Sequence, residues 1–163
     1  VVANRGVAGI DGTLATAHGV ALGTGRPVRA VMGDLTFLHD SGGLLLGTGE
    51  RVPDLHVVVV NDAGGGIFQT LEHGAVGQDQ RYAATVERFF GTSHSVSIAE
   101  LCAAHGVEYV RADSAIELTA ALAAPVVGRR VVEVPLERET LREFNLAAHE
   151  VGARAVEEFL AGR

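Results

Sequence analysis

The stretch LHVVVV at residues 55–60 limits the fold more than any other part of the chain. It is short, β-branched and apolar on both of its faces, as a strand in a covered parallel sheet must be. It ends abruptly in Asn61 and Asp62, and Gly64, Gly65 and Gly66 follow one residue later. Around it, strand and helix patterns alternate. Residues 13–24 read as a helix, 28–32 as a strand, 36–46 as a helix, 107–111 as a strand and 130–134 as a strand. Helices over 97–105, 114–123 and 140–161 are each opened by a capping box, Ser97–Glu100, Ser114–Glu117 and Thr140–Glu143. The last helix carries Leu141, Phe144, Ala148, Val151, Ala155 and Phe159 on one stripe. Residues 72–85 are polar and glycine-containing and read as a loop, either an ordinary surface loop or a lid. This alternation predicts an α/β fold, a mostly parallel sheet with helices on both faces.

The 163 residues suffice for one domain, and 47% hydrophobic content excludes a disordered chain. A net charge of -7 argues against nucleic acid, whose phosphates select basic surfaces. All 13 basic residues are arginine, so a P-loop, which needs its lysine, is excluded. No GxGxxG follows the first strand, which argues against a nicotinamide cofactor. Cys102 is the single cysteine and sits in an apolar pattern, so neither an internal disulfide nor a CxxC metal site is available. No apolar run reaches the roughly 20 residues of a membrane helix, and no secretion signal is legible. A cytoplasmic location is the expectation. The chain begins at Val1 and its one methionine is Met32, so a domain of a longer protein is expected.

In a parallel sheet, ligands bind beyond the carboxyl ends of the strands. Asp34 follows the strand 28–32, and Asn61 and Asp62 follow the strand 55–60. If those strands are neighbours, Asp34 and Asp62 converge as hard oxygen donors suited to Mg²⁺. The glycines would let backbone N–H groups approach an anion, and a helix starting near Ile67 would point its positive end the same way. A diphosphate bridged to the protein through Mg²⁺ satisfies both halves. Each stretch also has a plain alternative, because Asp after a strand is often a helix cap and Gly-rich turns are common in α/β folds.

GDL at 33–35, 25 residues and then Asn61-Asp62 resemble the thiamine diphosphate motif GDG…NN. Together with NRGVAGIDG (4–12), GDLTFLHD (33–40) and NDAGGGIF (61–68), the pattern resembles the C-terminal cofactor domain of the MenD family. These are the 2-succinyl-5-enolpyruvyl-6-hydroxy-3-cyclohexene-1-carboxylate synthases of menaquinone (vitamin K2) biosynthesis. The close match covers about residues 3–71; the remainder agrees in element order. Three positions depart from the general pattern. Leu35 replaces the second Gly of GDG, Asp62 replaces the second Asn, and the gap is one residue longer.

The resemblance implies a thiamine diphosphate-binding fold over residues 1–163, the diphosphate-holding domain, with pyrimidine-binding and central domains lying outside this chain. It implies that Asp34 and Asp62 hold Mg²⁺ by side chain and Gly64 by its backbone carbonyl. Gly33, Leu35, Thr36 and Gly65 would line the diphosphate. Ile10 would support the cofactor in its V shape. Arg5 would face a substrate carboxylate, and Ile67, Phe68 and Leu71 would wall the substrate pocket. No catalytic residue is implied in this chain, because the activating glutamate belongs to the pyrimidine-binding domain of a partner subunit. The implied reaction decarboxylates 2-oxoglutarate and adds the succinyl carbanion to isochorismate, releasing CO2. The complete transferase would be a homo-oligomer, dimer or tetramer, and this domain alone would be inactive. Two other readings stay open: a domain of an acetolactate synthase or 2-oxo acid decarboxylase, and a non-catalytic Mg²⁺ or phosphate-binding module.

Overall fold

A computed structural model describes residues 1–4, 9–138 and 140–162. The chain divides into two compact units, Val1–Ala63 with Ser95–Leu136, and Gly64–His94 with Glu137–Arg163.

The first unit holds a four-stranded, wholly parallel sheet in the order β1-β2-β4-β3. Its strands are β1 (Val28–Gly33), β2 (Leu55–Asn61), β3 (Glu108–Arg111) and β4 (Arg129–Pro135). Its α-helices among the described residues are α1 (Thr13–Thr24), α2 (Asp34–His39), α6 (Ile98–Ala104) and α7 (Ala115–Ala123). The valine run of β2 lies in the middle of the sheet, so its alternate side chains enter two different cores. Val57 and Val59 pack with Val131, Leu14, Phe37, Ile98 and Cys102 on one face. Val58 packs with Val132 and with Leu118 and Ala121 of α7 on the other. Each fully buried valine contributes roughly 1.5–3 kcal/mol of transfer free energy. The expected mostly parallel sheet with helices on both faces is therefore present.

The second unit contains α3 (Ile67–Thr70), α4 (Glu72–Gly77), α5 (Gln80–Val86), a π-helical turn at Glu87–Gly91 and the long α8 (Leu141–Ala161). None of the described helices is long and apolar enough to cross a membrane.

Three expectations need correction. Residues 72–85 are not a loop but two short helices, the second capped by Asp79, whose carboxylate accepts the Arg81 N–H at 3.0 Å. Glycine misled there: a Cβ on Gly74 would lie 2.0 Å from the Gln69 carbonyl oxygen, so this glycine permits close packing instead of marking a turn. The helix expected over 36–46 starts earlier, at Asp34, and stops at His39. A 3₁₀ turn at Ser41–Leu44 replaces the rest, where Gly42 and Gly43 remove helix propensity. Of the three capping boxes, Ser97 and Ser114 each accept the N–H three residues on at 3.2 Å, but Thr140 makes no side-chain cap.

Candidate functional site

The sheet register settles where the two acidic strand ends lie. β1 and β2 run parallel with Gly33 opposite Val60. Asp34 and Asp62 therefore follow the same end of two adjacent strands, the carboxyl end, where α/β folds place their ligands.

Asp34 is the first residue of α2 and is 2% exposed. Its Oδ1 accepts the Leu35 N–H at 2.7 Å, which fixes the carboxylate at the strand–helix junction. Gly33 is exposed just before it, and Leu35 and Thr36 are half-buried in the first helical turn. Asp62 is half-buried, with its Oδ1 out of reach of solvent. It sits in a tight turn in which the Asn61 Oδ1 accepts the Ala63 N–H at 3.0 Å. Ala63 has φ 58°, a left-handed conformation that costs a residue with a Cβ about 1–2 kcal/mol. Such strain tends to be kept where a turn has work to do.

Ile10 is 40% exposed, with its carbonyl accepting the Thr13 hydroxyl at 3.1 Å, so it is not a core residue. Arg5 lies outside the described residues. His39 is exposed.

The remaining expected site residues belong to the second unit. Gly64 (φ 155°) and Gly65 are both buried. A Cβ on Gly64 would stand 2.3 Å from the Gly91 carbonyl oxygen, and one on Gly65 would stand 2.5 Å from that of Phe90. The Gly65 N–H donates to the Gly91 carbonyl at 2.7 Å. These glycines are thus required by an approaching backbone, and the Gly65 N–H is committed to it, contrary to the expected nest of N–H groups turned toward an anion. Phe68 is half-buried and meets Phe90 at 5.7 Å and His73 at 6.1 Å between ring centres. It lines a cavity of about 480 Å³ with Gly65, Gln69, Gly74 and Glu87. Ile67 and Leu71 do not line that cavity; they are 65% and 46% exposed.

Sequence reasoning missed two arginines here. Arg142 donates to the carbonyls of Gln69 and Leu71 at 2.8 and 3.0 Å, and Arg138 pairs with Glu87 at 2.8 Å. Both hold the 64–91 segment in place, and only their position on α8 or just before it could have drawn attention to them.

Among the described residues, no three His, Cys, Asp or Glu side chains cluster as a metal site. Two carboxylates at the carboxyl end of adjacent strands, with backbone or diphosphate oxygens completing the shell, would fit a hard cation such as Mg²⁺, which keeps few protein ligands. They do not fit a zinc centre, which takes three or four N or S ligands.

The family described as thiamine pyrophosphate enzyme, C-terminal TPP binding domain, matches residues 1–134. The 2-succinyl-5-enolpyruvyl-6-hydroxy-3-cyclohexene-1-carboxylate synthase of Paenarthrobacter aurescens is 54% identical over 160 residues, covering 98% of this chain and 28% of that protein. The protein of the same name from Renibacterium salmoninarum is 58% identical over 142 residues, covering 87% of this chain and 26% of that one. The chain spans about a quarter of the length of these curated relatives. Among solved structures, benzoylformate decarboxylase from Polynucleobacter necessarius aligns with TM-score 0.60 at 26% identity, over 77% of this chain and 23% of that one. With a parallel sheet carrying two acids at its carboxyl end and a family match across most of its length, the chain belongs to the thiamine pyrophosphate enzymes, as their C-terminal TPP-binding domain.

Proposed function

We propose that this chain is the diphosphate- and Mg²⁺-holding part of a synthase that couples decarboxylation of 2-oxoglutarate to addition of the four-carbon succinyl unit to isochorismate. The register of β1 against β2 carries the reading, because Asp34 and Asp62 follow the carboxyl ends of two adjacent strands. The relatives' names favour this substrate pair over other thiamine enzymes.

Thiamine diphosphate, when bound, supplies the nucleophilic carbon and the electron sink that 2-oxo acid chemistry needs. The chain's own residues bind and orient. Asp34 and Asp62 hold Mg²⁺, and Gly64, two residues further on, offers its carbonyl as the resemblance implies. Gly33, Leu35 and Thr36 at the start of α2 lie along the diphosphate. Ile10, exposed where a core residue would not be, offers an apolar support. Phe68 would give a hydrophobic wall for substrate, as the resemblance implies. Arg5 would pair with a substrate carboxylate by a bidentate contact. The residue that activates the cofactor comes from elsewhere in the complete, homo-oligomeric protein, so the 163-residue chain by itself is inactive.

The test is to assay the full-length protein carrying this chain with thiamine diphosphate and Mg²⁺. CO2 release from 2-oxoglutarate that depends on isochorismate, with the coupled product formed, is the expected result. Turnover of a 2-oxo acid that ignores isochorismate points instead to a 2-oxo acid decarboxylase, the reading favoured by the likeness to benzoylformate decarboxylase. Thiamine diphosphate binding indifferent to Mg²⁺ removes the metal from the account.

A further inference from the structure

β4 carries one acid between valines, VVEV, and that acid is buried. Glu133 is 5% exposed and sits opposite Val59 in the sheet. A carboxylate there costs several kcal/mol of desolvation unless it is fully partnered, and a hydrophobic residue of similar size would serve the sheet at least as well. Its partners are specific. Oε1 accepts the side-chain N–H of Asn61 at 2.6 Å, and Oε2 accepts the Tyr109 hydroxyl at 2.5 Å. The Arg111 guanidinium lies 4.0 Å from Oε1. Tyr109 stays a donor throughout the physiological range, because burial first and Glu133 second push its hydroxyl up to about 12.

Asn61 is in turn held on three sides. Its side-chain N–H is taken by Glu133, its backbone carbonyl accepts the Leu136 N–H at 2.8 Å, and its side-chain oxygen accepts the Ala63 N–H at 3.0 Å. Because Glu133 takes the amide N–H, it fixes which way the amide faces and so leaves the oxygen free to face Ala63. That last bond spans Asp62 and pins Ala63 in its left-handed conformation.

We infer that Glu133, acting through Asn61, is a positioning residue that sets the turn carrying Asp62 and so tunes the affinity of the site for its divalent cation. This rests on the reading of Asp62 as a metal ligand. Glu133 touches neither metal nor cofactor; it orients the amide that shapes the turn. Partners one step behind a metal ligand typically affect metal affinity by about 10- to 100-fold.

The experiment titrates Mg²⁺ at fixed thiamine diphosphate and follows cofactor binding by calorimetry. It uses the full-length protein, as wild type and as Asn61→Leu, Glu133→Leu and Glu133→Gln, with thermal melting in parallel. Half-saturating Mg²⁺ is expected to rise about tenfold or more in Asn61→Leu and Glu133→Leu. It should stay within about threefold in Glu133→Gln, whose amide can accept from Asn61 and donate to Tyr109. If Glu133→Leu does not fold, Asn61→Leu decides, since residue 61 is only half-buried. An unchanged Mg²⁺ requirement in Asn61→Leu overturns the proposal while leaving the cofactor reading intact. Absence of any Mg²⁺ requirement in the wild type overturns the reading of Asp62 and the proposal with it, so the two failures are distinguishable.

Discussion

Among the described residues, every buried apolar side chain belongs to the first unit: Phe37, Leu55, Val59, Val131 and the others that flank the sheet. The second unit buries glycines instead, Gly64, Gly65, Gly66, Gly74 and Gly91. Many of its large apolar residues are exposed, with Phe89 at 65%, Phe144 at 71% and Phe159 at 62% exposure. The first unit is held by side-chain packing. The second is held by backbone closeness and by arginines reaching carbonyls. The difference teaches that the acids at the strand ends are preset by a core the unit already owns. Phe144, Val151 and Phe159 of the α8 stripe are more than half exposed and, on the proposed reading, face the rest of the complete protein.

The largest effect is expected from removing the acids themselves. Asp34→Ala and Asp62→Ala should each weaken Mg²⁺-dependent cofactor binding by at least about 100-fold, since partners one step further out are already worth about 10- to 100-fold. Melting temperature should barely move, and calorimetry with thermal melting reads both. A variant that unfolds instead would mean that the acids serve the fold.

Core truncation comes next. Phe37→Ala should cost about 3–5 kcal/mol, whereas Phe144→Ala on α8 should stay within about 0.5 kcal/mol in the isolated chain. Comparable losses by denaturant unfolding would erase the contrast between the units. A smaller effect is expected from Gly65→Ala, about 1–3 kcal/mol, because the new Cβ meets the Phe90 carbonyl. Amide exchange should quicken over residues 64–94 and leave β1 and β2 unchanged; faster exchange in the strands would contradict the separation.

The pH dependence is the mildest. His56 is 1% exposed, and its pKa is lowered from 6.5, by burial first and then by Arg130 and Arg29, against smaller opposing effects of Glu108 and Asp54. His18 is lowered too, by burial and Arg129, with Asp40 opposing. A depressed histidine pKa means that the unfolded chain binds the proton more readily. Stability is then full above about pH 6.5 and falls as pH drops below it, by less than about 1.4 kcal/mol per pH unit for each proton. His56→Gln should flatten that slope in urea melts taken at several pH values. An unaltered slope would place the titration elsewhere.

Much of the first unit was legible because its signals are local. The valine run, the serine caps and the acids after two strands all act within a few residues. The second unit was misread where glycine was involved, because a glycine that admits a neighbouring backbone looks in sequence like one that turns the chain. Gly74 and Gly65 are both of this kind. The diphosphate nest failed at Gly65 for the same reason. The partnership of Glu133 with Asn61 spans 72 residues and leaves only one trace in the sequence, an acid inside a strand of valines. Which residues an acid meets across a sheet depends on strand order, and strand order is not written in any one strand.

The most direct test of the central claim is a crystal structure of the full-length protein with thiamine diphosphate and Mn²⁺ in place of Mg²⁺, read from the anomalous signal of the metal. One peak is expected about 2.0–2.2 Å from a carboxylate oxygen of Asp34 and equally close to one of Asp62, as octahedral oxygen coordination requires. A peak ligated by neither carboxylate, or by only one with the other turned away, would contradict it.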